Sequence, residues 1–277
     1  MINDKLYSAF SYIGGKFFML KKLYPLFPKH HHYIEPFCGS CVVLLNKEKS
    51  KVEIVNDKYE EIYNFFNVVK NKPNEFYDSF KYTLTSRVYY NALHGTDPSG
   101  LNDVQRAHRF YYIMRHTYNN TPRYRRFRAS RVAKIGVDYD KLKEHIDKIY
   151  DRIKNVILEC SDYKDVIRRY DAVNNFFFID PPYYDPNTKD GRTLLYEHAL
   201  TKDDFKVLAN ACANIKGKFL MTINDHEYVR ECFRGFNINP ISHIYNSVKS
   251  KQTEYRVTEL LISNYQVRIK TYPLRRR

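Results

Sequence analysis

Residues 174–183, NNFFFIDPPY, bring an apolar run to a stop at Asp180, Pro181, Pro182 and Tyr183. Two consecutive prolines end a strand and fix the backbone, because each has a set φ and lacks an N–H. Strand termination alone requires neither the acid before them nor the tyrosine after. A reading that uses all four residues is recognition of an amine on a flat ring. Asp180 can accept one amino hydrogen, the Pro181 carbonyl can accept the other, and Tyr183 offers a face on which a planar base can stack.

Three more acids close short apolar runs: Glu35 in HYIEPF, Asp57 in KVEIVND and Asp162 in NVILECSD. Taken singly, an acid after a strand is usually a turn residue or a helix N-cap. Asp57 follows Glu35 by 22 residues, across the small-residue loop FCGSC, a helical pattern and a second strand. An acid about 20 residues beyond such a loop is where a nucleoside ribose is held, since a carboxylate accepts from both hydroxyls. The loop is not G-x-G-x-x-G and lacks a P-loop lysine, so a nucleoside without phosphates fits better than a pyrophosphate. S-adenosylmethionine is the obvious one.

These acids need elements to hold them. The runs before them are short, β-branched or aromatic, and bounded by polar residues or proline, which predicts strands. Their near-continuous apolarity predicts a mostly parallel sheet covered on both faces, and CVVLLNKE, KYEEIYNFFNVVKN and DDFKVLANACANI supply helices. In such an α/β sheet, ligands bind beyond the carboxyl ends of the strands, where all four acids would converge.

Cys38 and Cys41 form a C-x-x-C pair inside the loop. No second pair completes a zinc site and the context is not thioredoxin-like, so they are read as small, half-buried residues without a redox or metal role. The chain has five cysteines, no segment resembling a signal peptide and no run long enough to span a membrane, which fits a reducing cytoplasm.

With these residues in view, the chain resembles the Dam-type DNA adenine-N6 methyltransferases. FSYIGGKFFML (10–20) is similar to the family's N-terminal cofactor motif, with Tyr12 and Lys16 at its aromatic and lysine positions. EPFCGSCVVLLN (35–46) is similar to the cofactor loop, which places Glu35, Phe37, Gly39 and Ser40 against the cofactor. VNDKYEEIYNFFNVVK (55–70) resembles the ribose segment through Asp57, and ECSDYKDV (159–166) the segment flanking the cofactor adenine through Asp162 and Tyr163. DPPY (180–183) resembles the catalytic motif, and TELLISNY (258–265) the last strand. The resemblance implies a Rossmann-like methyltransferase sheet and S-adenosylmethionine as cofactor, leaving S-adenosylhomocysteine. It further implies double-stranded DNA as partner, no metal, and a monomer or weak dimer in a bacterial or phage-infected cell. The family's loop usually has a second glycine where Cys41 stands, a departure that bears on how closely the backbone approaches the cofactor.

Between Asp57 and Asp162 lie roughly a hundred residues that the strand pattern does not require. LNDVQRAHRFYYIMRH (101–116) and YDKLKEHIDKIYDRIK (139–154) read as amphipathic helices. They flank RHTYNNTPRYRRFRASRVAK (115–134), which is rich in Arg and Tyr and has no acid. A basic run is often only a solvated face, but interleaved aromatics beside a base-modifying motif point to nucleic acid. The chain is therefore divided into a discontinuous catalytic domain, 1–58 and 155–277, and a helical and hairpin target-recognition insert, 59–154. Arg115, Tyr118, Asn119 and Arg123 fall where the family has R-x-x-Y-N-x-x-x-R, which implies a GATC-like site. Arg125, Arg126 and Arg128 have no such match and are assigned to phosphates.

The net charge of +15, from 46 Lys and Arg against 31 Asp and Glu, suits a polyanionic partner. Two alternatives share these features: an RNA base methyltransferase, and an inactive DNA-binding protein retaining the fold. The His30–His32 run reads as a surface loop, with metal binding a minor alternative, and the terminal LRRR as a flexible tail that either contacts phosphates or is inert.

Overall fold

The computed structural model of the protein describes residues 7–117, 126–128, 137–245 and 255–268. After α1 (Leu20–Leu23), the chain alternates strand and helix: β1 (His32–Glu35), α2 (Val42–Asn46), β2 (Val52–Asn56) and α3 (Glu60–Asn71). Among the described residues, four further helices precede the next strand: α4 (Pro73–Asp78), α5 (Arg87–Gly95), α6 (Asp103–His116) and α7 (Tyr139–Ile153). Then come β3 (Ile157–Glu159), α8 (Tyr163–Tyr170), β4 (Asn175–Ile179), α9 (Lys202–Ala213), β5 (Lys218–Asn224), α10 (Glu227–Cys232), β6 (Asn237–Tyr245) and β7 (Tyr255–Ser263).

The strands form one seven-stranded sheet in the order β3-β2-β1-β4-β5-β7-β6. The first five positions are parallel and β7 is antiparallel to both its neighbours. This is the expected α/β, Rossmann-like, mostly parallel arrangement. Side chains alternate across β4: Phe176 and Phe178 enter one apolar cluster, Phe177 and Ile179 the other. Helices α8, α9 and α10 cover the second face through Val166, Leu208 and Val229.

The first face is covered by α3, α6 and α7, whose Phe65, Phe110 and Ile149 share a continuous core with Tyr33, Val55 and Phe176 of the sheet. Helices α3, α6 and α7 of the segment 59–154 are thus built onto the sheet. A buried ion pair ties it there, Arg152 on α7 donating to both oxygens of Glu53 on β2 at 2.5 and 2.8 Å. Lys47 reaches the same carboxylate at 2.5 Å. Burial opposes the charge on Glu53, but these two cations hold its carboxyl below the usual range. No helix among the described residues is long and apolar enough to cross a membrane.

Candidate active site

Strands β3, β2, β1 and β4 are adjacent and parallel, so their carboxyl ends open on one edge of the sheet. A cavity of about 280 Å³ lies there, and Glu35, Asp57, Asp162 and Asp180 all line it. The four acids that end four apolar runs are brought together by strand adjacency.

At the end of β1 the loop 36–41 turns into α2. Gly39 has φ +49°, and a Cβ there would lie 3.1 Å from the Tyr12 ring, so glycine allows the ring to cover the loop. Cys41 also adopts a left-handed conformation, φ +54°, and is fully buried in the core without lining the cavity. A glycine, which the resemblance leads one to expect there, adopts that conformation without strain. Ser40 is buried at the cavity wall.

Asp57, just beyond β2, accepts the Gly39 N–H on Oδ2 at 3.0 Å and the Tyr59 N–H on Oδ1 at 2.9 Å. Burial raises its carboxyl, with these two donors acting against the rise. The same side chain that could take ribose hydroxyls thus also braces the loop, each oxygen retaining a second acceptor site. Phe37 and Tyr163 form an aromatic wall, their ring centroids 5.1 Å apart. Asp162 is the N-cap of α8, accepting the Lys164 N–H at 3.1 Å, and it also pairs with Lys58 at 3.1 Å. Its carboxylate does helix-capping work beside the cavity.

On the other side of the cavity, Asp180 follows β4 directly. Thr222 of β5 donates to its Oδ1 at 2.8 Å, and the Lys16 ammonium lies 2.7 Å from the same oxygen. Lys16, expected among the cofactor residues, is engaged with the acid of DPPY, 3% exposed, and also donates to the Gly14 carbonyl at 2.8 Å. Burial raises the Asp180 carboxyl above its ordinary value, and Lys16 opposes that rise. Tyr183 lies beneath the Lys16 ammonium, 4.9 Å from ring centroid to nitrogen. Burial, with Asp180 and Glu259 nearby, pushes its phenol well up, so it stays neutral. Glu35 accepts from the Tyr33 hydroxyl at 2.7 Å, and burial pushes its carboxyl up to about 8.

Residues 12–247 match the family described as D12 class N6 adenine-specific DNA methyltransferase. The chain belongs to this family. It is 24% identical to the type II methyltransferase M1.LlaDCHI of Lactococcus lactis subsp. cremoris, over 91% of this chain and 93% of that protein. It is 25% identical to the type II methyltransferase M.CviBI of Paramecium bursaria Chlorella virus NC1A, over 91% and 97%. It is 23% identical to the DNA adenine methylase of Escherichia coli (strain K12), over 90% and 91%.

Within this D12 methyltransferase, one part of the cavity went unread in the sequence. The segment after DPPY folds back over the cavity rim with Arg192, Tyr196, Glu197 and His198. Tyr196 donates to the Ile13 carbonyl at 3.0 Å and its ring lies 5.8 Å from that of Tyr12. Gly191, φ +75°, packs against the Tyr184 ring so closely that a Cβ would meet it at 2.4 Å. Tyr59 and His198 meet across the rim at 6.2 Å. The segment lacks apolar periodicity, so only its position after DPPY could have signalled it.

Of the candidate DNA-contacting residues, Arg115 lies half-buried in the last turn of α6, and Arg126 and Arg128 are exposed on either side of Phe127. Phe127 forms an antiparallel bridge with Thr117 and lies near the rings of Tyr90 and His116. The guanidinium of Arg87, which the sequence did not single out, lies 5.1 Å from the Phe127 ring. Tyr118, Asn119, Arg123, Arg125 and the LRRR tail lie outside the described residues.

Proposed function

We propose that the chain transfers a methyl group from S-adenosylmethionine to the N6 amine of an adenine extruded from duplex DNA, within a GATC-like site. The observation that carries this reading is that DPPY shares one cavity with Asp57, Glu35 and the Phe37–Tyr163 wall.

The lining suits that cofactor. The acids at Glu35 and Asp57 fit a hydroxyl- and amine-bearing nucleoside better than a phosphate, and the aromatic wall fits the base. Glu35, raised to about 8 by burial, gains its charge most readily against a cation. The glycine at position 39 gives the loop a turn that a side chain would strain. Asp57 would hold the ribose, Glu35 would face the amino-acid end, and Phe37 with Tyr163 would flank the adenine. The cofactor supplies an electrophilic methyl on a sulfonium.

The acceptor amine is a poor nucleophile because its lone pair is delocalised into the ring. Asp180 and the Pro181 carbonyl would accept its two hydrogens, favouring a pyramidal nitrogen and stabilising the positive charge that develops there. Tyr183 would hold the base once it has left the stack. Arg115, Tyr118, Asn119 and Arg123 would read the site, while Arg125, Arg126 and Arg128 anchor phosphates.

Labelled methyl transfer to duplex DNA and to RNA of the same sequence tests the reading. The expected product is N6-methyladenine in the duplex, with Asp180→Ala abolishing transfer while duplex affinity is retained. Transfer to RNA alone would replace the proposed substrate, and full activity of Asp180→Ala would remove Asp180 from the chemistry.

A further inference from the structure

We propose that Lys16 and Thr222 are positioning residues for methyl transfer: both engage Oδ1 of Asp180, which leaves Oδ2 as the oxygen that accepts the target amine. The inference rests on the assignment of Asp180 to the amine, and it gives Lys16 a task other than cofactor binding.

A carboxylate turns freely about its last bond, since that torsion has broad, two-fold preferences. Two donors on one oxygen remove that freedom. They arrive from separate parts of the chain, Lys16 from the segment before β1 and Thr222 from the middle of β5, at 2.7 and 2.8 Å. Both are buried, at 3% and 0% exposure. No described residue donates to Oδ2. The Lys16 ammonium is itself located by the Gly14 carbonyl, and it also lies over the Tyr183 ring. One cation therefore sets the acid and the stacking surface relative to each other.

The same pair has an electrostatic consequence. Burial favours a protonated Asp180, which would accept less well, and the adjacent ammonium opposes this. Removing Lys16 should move the acid limb of the rate profile to higher pH.

The test compares Lys16→Met, Thr222→Val and Thr222→Ser with the unaltered protein, and with Asp180→Ala in parallel. Lys16→Met is expected to lower kcat at least tenfold, to shift the acid limb upward, and to leave cofactor affinity by calorimetry within about threefold. Thr222→Val is expected to lower kcat several-fold, and Thr222→Ser, which restores the hydroxyl, to recover most of that loss. An unchanged kcat and limb in Lys16→Met, with weakened cofactor binding, would overturn the assignment and return Lys16 to the cofactor. Should Lys16→Met fail to fold, the Val and Ser pair decides: equal rates in both overturn the clamp. If Asp180→Ala itself remains active, the underlying reading fails. If Asp180→Ala is inactive while Lys16→Met and Thr222→Val match the unaltered protein, only the present inference fails.

Discussion

Asp57 braces the loop after β1 and, in the proposed reading, also holds the ribose, so its substitution should separate from that of an ordinary ligand. Loss of charge-assisted hydrogen bonds to the ribose predicts a rise in the KM for S-adenosylmethionine of about ten- to hundredfold, or roughly 1.5–3 kcal/mol, in Asp57→Ala. Because Gly39 and Tyr59 N–H groups also lose their acceptor, thermal stability should fall as well. Asp57→Asn, which keeps an acceptor, should recover part of the stability; calorimetric affinity and a melting curve check both halves. Cys41 makes a different prediction from the same loop. A β-branched side chain at φ +54° is strained, so Cys41→Val should destabilise by about 2 kcal/mol or more. Cys41→Gly relieves about 1 kcal/mol of backbone strain while losing a buried thiol, and should leave cofactor affinity unchanged. A large drop in affinity by calorimetry in the glycine variant would show that the thiol touches the cofactor.

Helix α5 and the bridge at Phe127 form the exposed side of the insert. Arg87 at the start of α5 lies over the ring of Phe127, whose chain neighbours Arg126 and Arg128 are exposed, a set of cations suited to the duplex backbone. Arg87→Ala should weaken binding to all duplexes alike and reduce the slope of log K against log salt by about one. A loss confined to one sequence would instead make Arg87 a base reader. Along α6, His108 is packed on Phe80 at 4.0 Å and bonded to Ser79 and Tyr89, at 3.0 and 3.1 Å. Burial lowers its imidazole to about 4. The folded state then binds fewer protons than the unfolded one, so stability is whole above pH 6.5 and falls as the pH drops from 6.5 towards 4. The loss should reach up to about 3 kcal/mol, and His108→Gln should flatten the unfolding free energy measured against pH over that window. Strands that end in acids were legible because each carries a continuous apolar run and a hard stop. The helices of 101–116 and 139–154 were legible by periodicity, and α6 and α7 begin within two residues of the expected starts. The rim segment 185–200 was not, since its fold depends on contacts such as Tyr196 with Ile13, 183 residues away. The role of Lys16 was hidden for the same reason: a local motif names the residue, but its partner is set by β4.

For the whole molecule, the residues 59–154 supply much of one covering layer of the sheet. Their removal would take Phe65, Phe110 and Ile149 out of the core shared with the sheet and leave the Glu53 carboxylate without Arg152. Lys47 would still pair with that carboxylate, so the larger loss is the apolar burial. A chain in which a short linker replaces 59–154 should therefore be insoluble or lack a cooperative melt. A soluble, cooperatively folding product would show that the sheet stands alone. The sequence marked this segment as an addition by its length, and its charge pattern pointed outward. What it could not display is the inward face, where Phe65, Phe110 and Ile149 complete a core begun by strands far away in the chain.

The last strand, β7, lies between β5 and β6, paired with β5 from Leu220↔Ser263 to Asn224↔Glu259. While the chain is being synthesised, β5 therefore waits with one edge unpaired until residues 255–263 have left the ribosome. Such an edge is a template for pairing with neighbouring nascent chains. Thr222 stands on that strand, which β4 holds from its other side, so the second donor to the acid of DPPY sits on a strand whose outer edge is still open. A premature stop just before Tyr255 would thus yield a protein with every cofactor-loop motif present, an open sheet edge, and a tendency to aggregate on the polysome.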